Sequence, residues 1–406
     1  MEDFSRRFAG FKGGVAGLWG SFWSEGPRHL LAAIGGVLVT IENWLLDTKK
    51  ARYGLAVTRI LLGIAALGLW TTNFGSRYYT FGSGAAWTGQ IQDPESKLSA
   101  SWLFSAFRHA ATNDTALTLL YLLTGALAVT VILGYRTRIL LPLFTVMWVS
   151  LIEVQDLASD QGDNIFRIAL IGLIFADPSV RWSLDALRRA KLAVKQRAGK
   201  GAGILARIVP DPVPTLAHNL VIVVLACQVI FVYVSGALYK AGGAPWRDGT
   251  AVYAPLQTVR FGPWPELSDL VTAWGPAVAI ASIGSIIIQL TFPGALLFRW
   301  TRIPALFAMV GFHVGIAVLM GLPWFSLAMI AIDAIFIRDV TWERLRSWIV
   351  QAWRQGAGRI PEPSRPAEES DGMTDEKSSE QEAPREKASV GASARAAARN
   401  GAPLSR

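Results

Sequence analysis

The residue best suited to chemistry in this chain is Lys240, which ends an apolar stretch and precedes a glycine-rich turn and the sequence Trp246-Arg247-Asp248-Gly249. An amine at the end of a membrane helix, beneath a tryptophan, can be partly removed from water. Such burial disfavours the ammonium form of a lysine and leaves a neutral amine that acts as a base or nucleophile near neutral pH. The alternative is a lysine that extends its charge to the membrane interface and has no catalytic role.

A second set of polar residues surrounds the boundary between two apolar segments. Glu153 closes one segment, and Asp163, Asn164 and Arg167 open the next. Charged side chains are costly inside a bilayer, so they usually have a partner or a function. We expect these residues at the depth of Lys240, where Glu153 or Asp163 pairs with Arg167 or with the lysine. The opposing interpretation is an exposed acidic loop without a specific role.

Other polar residues lie within the apolar segments themselves. His313 should point into the bundle, and Gln228 and Asp333 are further candidates for the lining of a binding site. Each either binds a ligand or forms a structural hydrogen bond between helices, and the sequence leaves both open. Arg59 lies near the end of the first long segment, where we expect it to extend its charge to the interface.

Composition places the chain among membrane proteins. Hydrophobic residues make up 52% of it and charged residues 17%, and its mean hydropathy is +0.35. The net charge of +9 lies in short loops between apolar segments, which argues against nucleic acid as a partner. With Cys227 as the single cysteine and no Cys/His spacing typical of zinc, we expect neither an internal disulfide nor a metal site.

Eight apolar segments predict an all-α, polytopic transmembrane helical bundle. Several are shorter than the roughly 20 residues that cross a bilayer, so we expect some boundaries to be wrong or some helices to be partial. The segment 29–46 predicts an N-terminal interfacial helix, with an extra span as the alternative. The predicted spans are 55–72, 116–134, 139–155, 164–177, 216–239, 275–298, 303–321 and 323–337.

Positive charge predicts the orientation of the bundle in the cell membrane. With eight crossings, basic groups at 49–52, 136–138, 181–207, 299–302 and 338–354 all fall on one side, which is therefore cytoplasmic. Lys240 and Trp246 fall on the opposite side. There we expect a pocket open to the outer leaflet, walled by the third to fifth spans and the loop of the tryptophan.

The chain divides into four parts by composition. We expect a cytoplasmic segment with the interfacial helix at 1–50, a transmembrane domain at 51–340 and a basic juxtamembrane helix at 341–355. Residues 356–406 are rich in Pro, Glu and Ser, which predicts a disordered cytoplasmic tail.

Four stretches in this order resemble the HTTM family of membrane proteins, which is related to vitamin K-dependent gamma-glutamyl carboxylase. The sequence also resembles membrane proteins of the sporulation-delaying-protein B type. The stretches are LAVTRILLGIAALGLW (55–70), GDNIFRIALIGLIFADPSVRWSLDAL (162–187), VYVSGALYKAGGAPWRDGTAVY (232–253) and FHVGIAVLMGLPWFSLAMIA (312–331).

The resemblance implies a function for Lys240 as the base that deprotonates a reduced quinone such as vitamin K, with Trp246, Asp163, Asn164, Arg167, Gln228 and His313 as candidate binding residues. Residues 156–168 contain no histidine where the carboxylase has a catalytic one, so full carboxylation of protein glutamates is not expected. The candidate functions are therefore an enzyme acting on a lipophilic substrate at the extracytoplasmic face, and a non-catalytic accessory protein for the maturation or transport of secreted peptides.

The predicted orientation has a direct test. A reporter fused after residue 195 should be active in the cytoplasm, because it would follow one of the basic groups. Paired fusions of green fluorescent protein and alkaline phosphatase measure this, and phosphatase activity at that position would contradict the orientation.

Overall fold

The computed structural model describes residues 32, 34–155, 159–197 and 212–357, and within these ranges all regular structure is helical. Two short 3-10 helices cover Ser83–Thr88 and Ala334–Phe336. Apart from its first two residues, the predicted disordered tail lies outside the described residues. The α-helices in chain order are α1 (Ile34–Leu46), α2 (Arg52–Thr72), α3 (Arg77–Phe81), α4 (Lys97–Ala100), α5 (Ala106–Ala110), α6 (Asp114–Leu133), α7 (Thr137–Ile152), α8 (Gln161–Phe175), α9 (Leu184–Arg197), α10 (Pro212–Gly242), α11 (Ala244–Arg247), α12 (Tyr253–Leu256), α13 (Pro265–Ala273), α14 (Gly275–Leu297), α15 (Arg299–Leu319), α16 (Pro323–Asp333) and α17 (Asp339–Ala357).

Five of these helices, α2, α6, α10, α14 and α15, are long and apolar enough to cross a membrane. The other three predicted spans correspond to α7, α8 and α16, which have 16, 15 and 11 residues. Each is shorter than a full crossing requires, so the structure supports five of the eight predicted spans by length and composition. The short helices pack against the long ones, with α16 against α2, α15 and α8, and α7 against α6 and α8.

The described part of α1 has the pattern of a helix at a membrane surface. Ile34, Val37, Leu38 and Ile41 share one stripe of the helix at the spacing of successive turns, and all four are exposed. The described part of the helix, Ile34–Leu46, is shorter than a bilayer crossing requires. The interfacial helix stays a prediction, with the additional span as its alternative.

Arg59 joins three parts of the chain at one end of the bundle. Its side chain is fully buried and donates hydrogen bonds to the carbonyl oxygens of Val131, Ile132, Pro178 and Trp182. These carbonyls belong to the end of α6 and to the turn between α8 and α9. The prediction that this side chain extends to the interface was wrong. Backbone carbonyls at the end of α6 and in the turn before α9 are closer acceptors for its guanidinium.

Aspartates complete the same end of the bundle. Asp177 binds the ammonium of Lys49 at 2.9 Å, Asp185 accepts from the backbone at the start of α7, and Asp339 accepts from the backbone at the start of α2. Burial alone would raise the pKa of Asp177, but the hydrogen bond and charge of Lys49 hold that pKa below its usual value. These contacts bring four of the five predicted basic groups together.

Lys240 lies at the opposite end of α10 from this cluster. In the first half of α10, the side chain of Asn219 donates to the carbonyls of Trp44, Leu45 and Thr48. About 30 Å of helix separate Asn219 from Lys240, which is the thickness of the hydrocarbon layer of a bilayer. The basic cluster and the candidate lysine therefore lie at opposite ends of a membrane-crossing helix.

Replacement of Arg59 tests the importance of its contacts. Arg59→Gln should lower the free energy of unfolding by about 3 kcal/mol, because a shorter amide cannot satisfy four separated carbonyls. Thermal unfolding in detergent measures the loss. Arg138→Gln is the matched control, since that arginine is exposed, and equal melting temperatures for the two variants would contradict the prediction.

Candidate functional site

The amine of Lys240 lies in an enclosure made by an amide and two aromatic rings. Its Nζ donates to Oε1 of Gln289 at 3.0 Å, and it lies 4.8 Å from the ring centroid of Trp246 and 5.3 Å from that of Phe312. The lysine side chain is half-buried. Each ring presents a negative face that favours a nearby cation, so the enclosure can hold a proton on the amine.

Among the described residues, no carboxylate forms an ion pair with this amine. Among the described residues, ion pairs within 4.0 Å join other cations to Asp177, Asp339, Glu153 and Asp185. A carboxylate partner would keep the amine permanently charged, whereas the amide of Gln289 is neutral. The site is therefore chemically suited to an amine that gains and loses a proton.

Helical spacing explains how the sequence aligns this enclosure. On α14, Ser282, Ser285 and Gln289 follow one another by three and four residues and form a buried polar stripe in an apolar helix. On α10, Tyr233 and Lys240 are seven residues apart and therefore share a face. The two helices pack against each other. This spacing was the available signal for Gln289 and Tyr233, which sequence analysis missed.

A buried network of three polar residues lies further along the face of α10. The hydroxyl of Tyr233 donates to Oδ2 of Asp333 at 2.9 Å, and its oxygen lies 3.1 Å from Nε2 of His313. All three residues are almost fully buried and come from α10, α15 and α16. Because the single hydroxyl proton goes to Asp333, Nε2 of the histidine must be the donor in the second bond.

Two atoms of this network lack a hydrogen-bond partner among the described residues. They are Nδ1 of His313 and Oδ1 of Asp333, and both are buried. Buried polar atoms are normally satisfied by protein, water or a ligand. The network thus keeps one acceptor on the imidazole, and it has capacity for water or for a polar group of a ligand.

Asp163, Asn164 and Arg167 lie in a different place, a cavity of about 510 Å³ at the start of α8. Arg167 pairs with Glu153, donates to Oδ1 of Asn164 at 2.9 Å, and so does not pair with Asp163. The other oxygen of Glu153 accepts from Ser96. Of the pairings left open by the sequence, the structure shows Glu153 with Arg167, and neither Glu153 nor Asp163 forms an ion pair with Lys240.

Of the remaining candidate residues, Trp246 lies at Lys240 and Gln228 lies on another side of α10. Trp246 covers Lys240 and also lines a cavity of about 670 Å³ formed by residues 245–255 with α13 and α14. Lys240 does not line that cavity, because the chain after α11 runs along α14, where the backbone N–H of Val252 donates to Oγ of Ser282. The pocket expected at Lys240 between the third to fifth spans therefore stays a prediction. Gln228 is half-buried and lies roughly 120° around α10 from Lys240.

Comparison with known proteins identifies one domain. The family model described as the HTTM domain matches residues 207–342, about a third of the chain, from α10 to the first turn of α17. The chain therefore contains an HTTM domain, and two of the four motifs, 232–253 and 312–331, lie within the matched residues. With five long apolar helices, this indicates an integral membrane protein. No curated protein and no solved structure matches the chain.

Asp163 provides a test by pH. It lies ahead of the fourth predicted span, and burial, with the charges of Asp160 and Glu153, raises its pKa to about 6. Ionisation of such a carboxyl favours the unfolded chain, so the free energy of unfolding should rise by on the order of 1 kcal/mol as the pH falls from 7 to 5.

Thermal unfolding as a function of pH measures this contribution. Asp163→Asn should be more stable than the wild type at pH 7 and should show a smaller rise toward pH 5. Asp93→Asn, at an exposed position, should follow the wild-type profile. A profile of Asp163→Asn parallel to that of the wild type would exclude this titration.

Proposed function

We propose that this protein is a membrane enzyme in which Lys240 removes a proton from a reduced quinone or a similar lipophilic phenol at the extracytoplasmic face. The observation that carries the proposal is the position of the Lys240 amine between the rings of Trp246 and Phe312, bound to the neutral amide of Gln289. An HTTM domain spans all four residues.

The residues around the amine supply what this proton transfer requires. A flat aromatic substrate can stack on Trp246, whose ring already borders both the amine and an apolar cavity. Lys240 accepts the hydroxyl proton with its lone pair, and the oxyanion remains on the substrate. The carbonyl of Gln289 and the two ring faces then stabilise the ammonium ion.

The proposed function of the protein is proton removal, and the deprotonated substrate is then oxidised by oxygen. The stretch 156–168 contains no histidine, so a second acid or base is not evident there. Asp163 and Asn164 occupy the start of α8 instead, where Asp163 caps the helix through the backbone N–H of Asp160. The proposal gives Asp163 and Asn164 a role in ligand contact and no role as an acid or base.

A second candidate function is that of an accessory protein for a secreted peptide. The cavity lined by Glu95, Lys97, Glu153, Asp163 and Arg167 favours it, because this cavity contains both signs of charge and borders the same end of the bundle as Lys240. Mixed charge of this kind suits a polar peptide segment better than a quinone ring. In that case the lysine would be dispensable.

Substitution of Lys240 separates the two functions. Purified protein in lipid nanodiscs is given a naphthohydroquinone, and oxygen consumption is measured, since the deprotonated hydroquinone reduces oxygen to hydrogen peroxide and becomes the quinone. The wild type should accelerate this reaction, and Lys240→Arg should lower the rate by about 100-fold or more, because arginine stays protonated.

The control is Lys97→Arg, at an exposed position in the mixed-charge cavity. It should keep the wild-type rate. Expression and thermal stability of both variants should equal those of the wild type. A fully active Lys240→Arg variant, or a wild-type rate equal to that of empty nanodiscs, would contradict the enzymatic function.

A further inference from the structure

At the end of the bundle opposite Lys240, α17 presents an apolar stripe that no other described residue covers. Leu345, Trp348 and Ile349 share this stripe, and 43%, 66% and 51% of their surfaces are exposed. With about 100° of rotation per residue, Arg344 and Arg346 flank the stripe on its two sides and Glu343 lies opposite. Basic residues at both edges of an apolar stripe are typical of a helix that lies in the headgroup layer of a membrane.

A second helix, α9, shows related features. Leu187 and Val194 are seven residues apart on one line of the helix and are 60% and 67% exposed. Arg188 and Lys191 are exposed beside this line. Arg188 has Asp185 at 3.3 Å as a partner, and among the described residues Lys191, Arg344 and Arg346 form no ion pair within 4.0 Å.

Aromatic contacts hold the beginnings of the two helices together. The ring of Trp182, just before α9, meets the ring of Trp342, in the first turn of α17, edge to face at 5.9 Å. Tyr53 packs on Trp182 at 5.3 Å. Tryptophan and tyrosine concentrate at the membrane–water boundary, so this cluster marks the depth at which both helices leave the bundle.

From this arrangement we propose that α9 and the part of α17 up to Val350 bind the headgroups of anionic phospholipids. The apolar stripes enter the upper acyl region, and Arg188, Lys191, Arg344 and Arg346 contact the lipid phosphates. The occupant is the bilayer because both helices begin beside the aromatic cluster, at the basic end of the bundle. The excess of exposed basic residues on their apolar edges complements an anionic surface.

The experiment uses the full chain in nanodiscs of phosphatidylcholine alone or of an equal mixture with phosphatidylglycerol. Amide hydrogen exchange over 184–194 and 340–350 should be slower in the anionic discs, and added salt should reduce the difference. Arg344→Gln/Arg346→Gln should lower the protection in anionic discs by on the order of tenfold. Each basic residue near an anionic surface strengthens membrane binding by up to about tenfold.

The matched control removes two exposed arginines from the other end of the bundle. Arg247→Gln/Arg260→Gln should exchange like the wild type at both segments. Equal protection in the two lipids, or equal loss in the two double variants, would overturn the proposal. Protection that depends on protein concentration and not on lipid charge would also overturn it, in favour of contact between two copies of the chain.

Discussion

The rest of the bundle depends on the burial of Arg59. A guanidinium inside a membrane protein is tolerated only where its donors are satisfied, and this one reaches four carbonyl oxygens at the end of α6 and before α9. Gly134 makes the approach possible, because it has φ 62° and a Cβ there would lie 2.9 Å from the guanidinium. These contacts join α2 to the end of α6 and to the turn after α8.

The two ends of the bundle differ in the partners of their cations. At the basic end, cations are matched by carboxylates, as in the pairs of Lys49 with Asp177 and Arg52 with Asp339. At the other end, Arg167 takes Glu153 as its partner, and Lys240 is left with an amide and two rings. Ion pairs thus stabilise both ends, whereas the amine of Lys240 has an amide and two aromatic rings as its neighbours.

The network of Tyr233, His313 and Asp333 extends the polar face of α10 into the bundle. Its members come from three helices and meet because α15 packs against α16 and α16 contacts α10. Burial of a carboxyl and an imidazole with unsatisfied atoms is costly in an apolar bundle. Such a cost is typical of positions where function, rather than stability, determines the residue.

The sequence by itself determined the class of the protein, the helical fold and the grouping of basic residues, because hydropathy and charge act locally along the chain. It also determined that Trp246 would lie near Lys240, since only a short turn separates them. Tertiary structure alone decided that Gln289 binds the lysine, that Glu153 pairs with Arg167 and that Tyr233 joins His313 to Asp333. These contacts depend on the rotation and axial shift of each helix against its neighbours, to which the pattern of a single segment is insensitive.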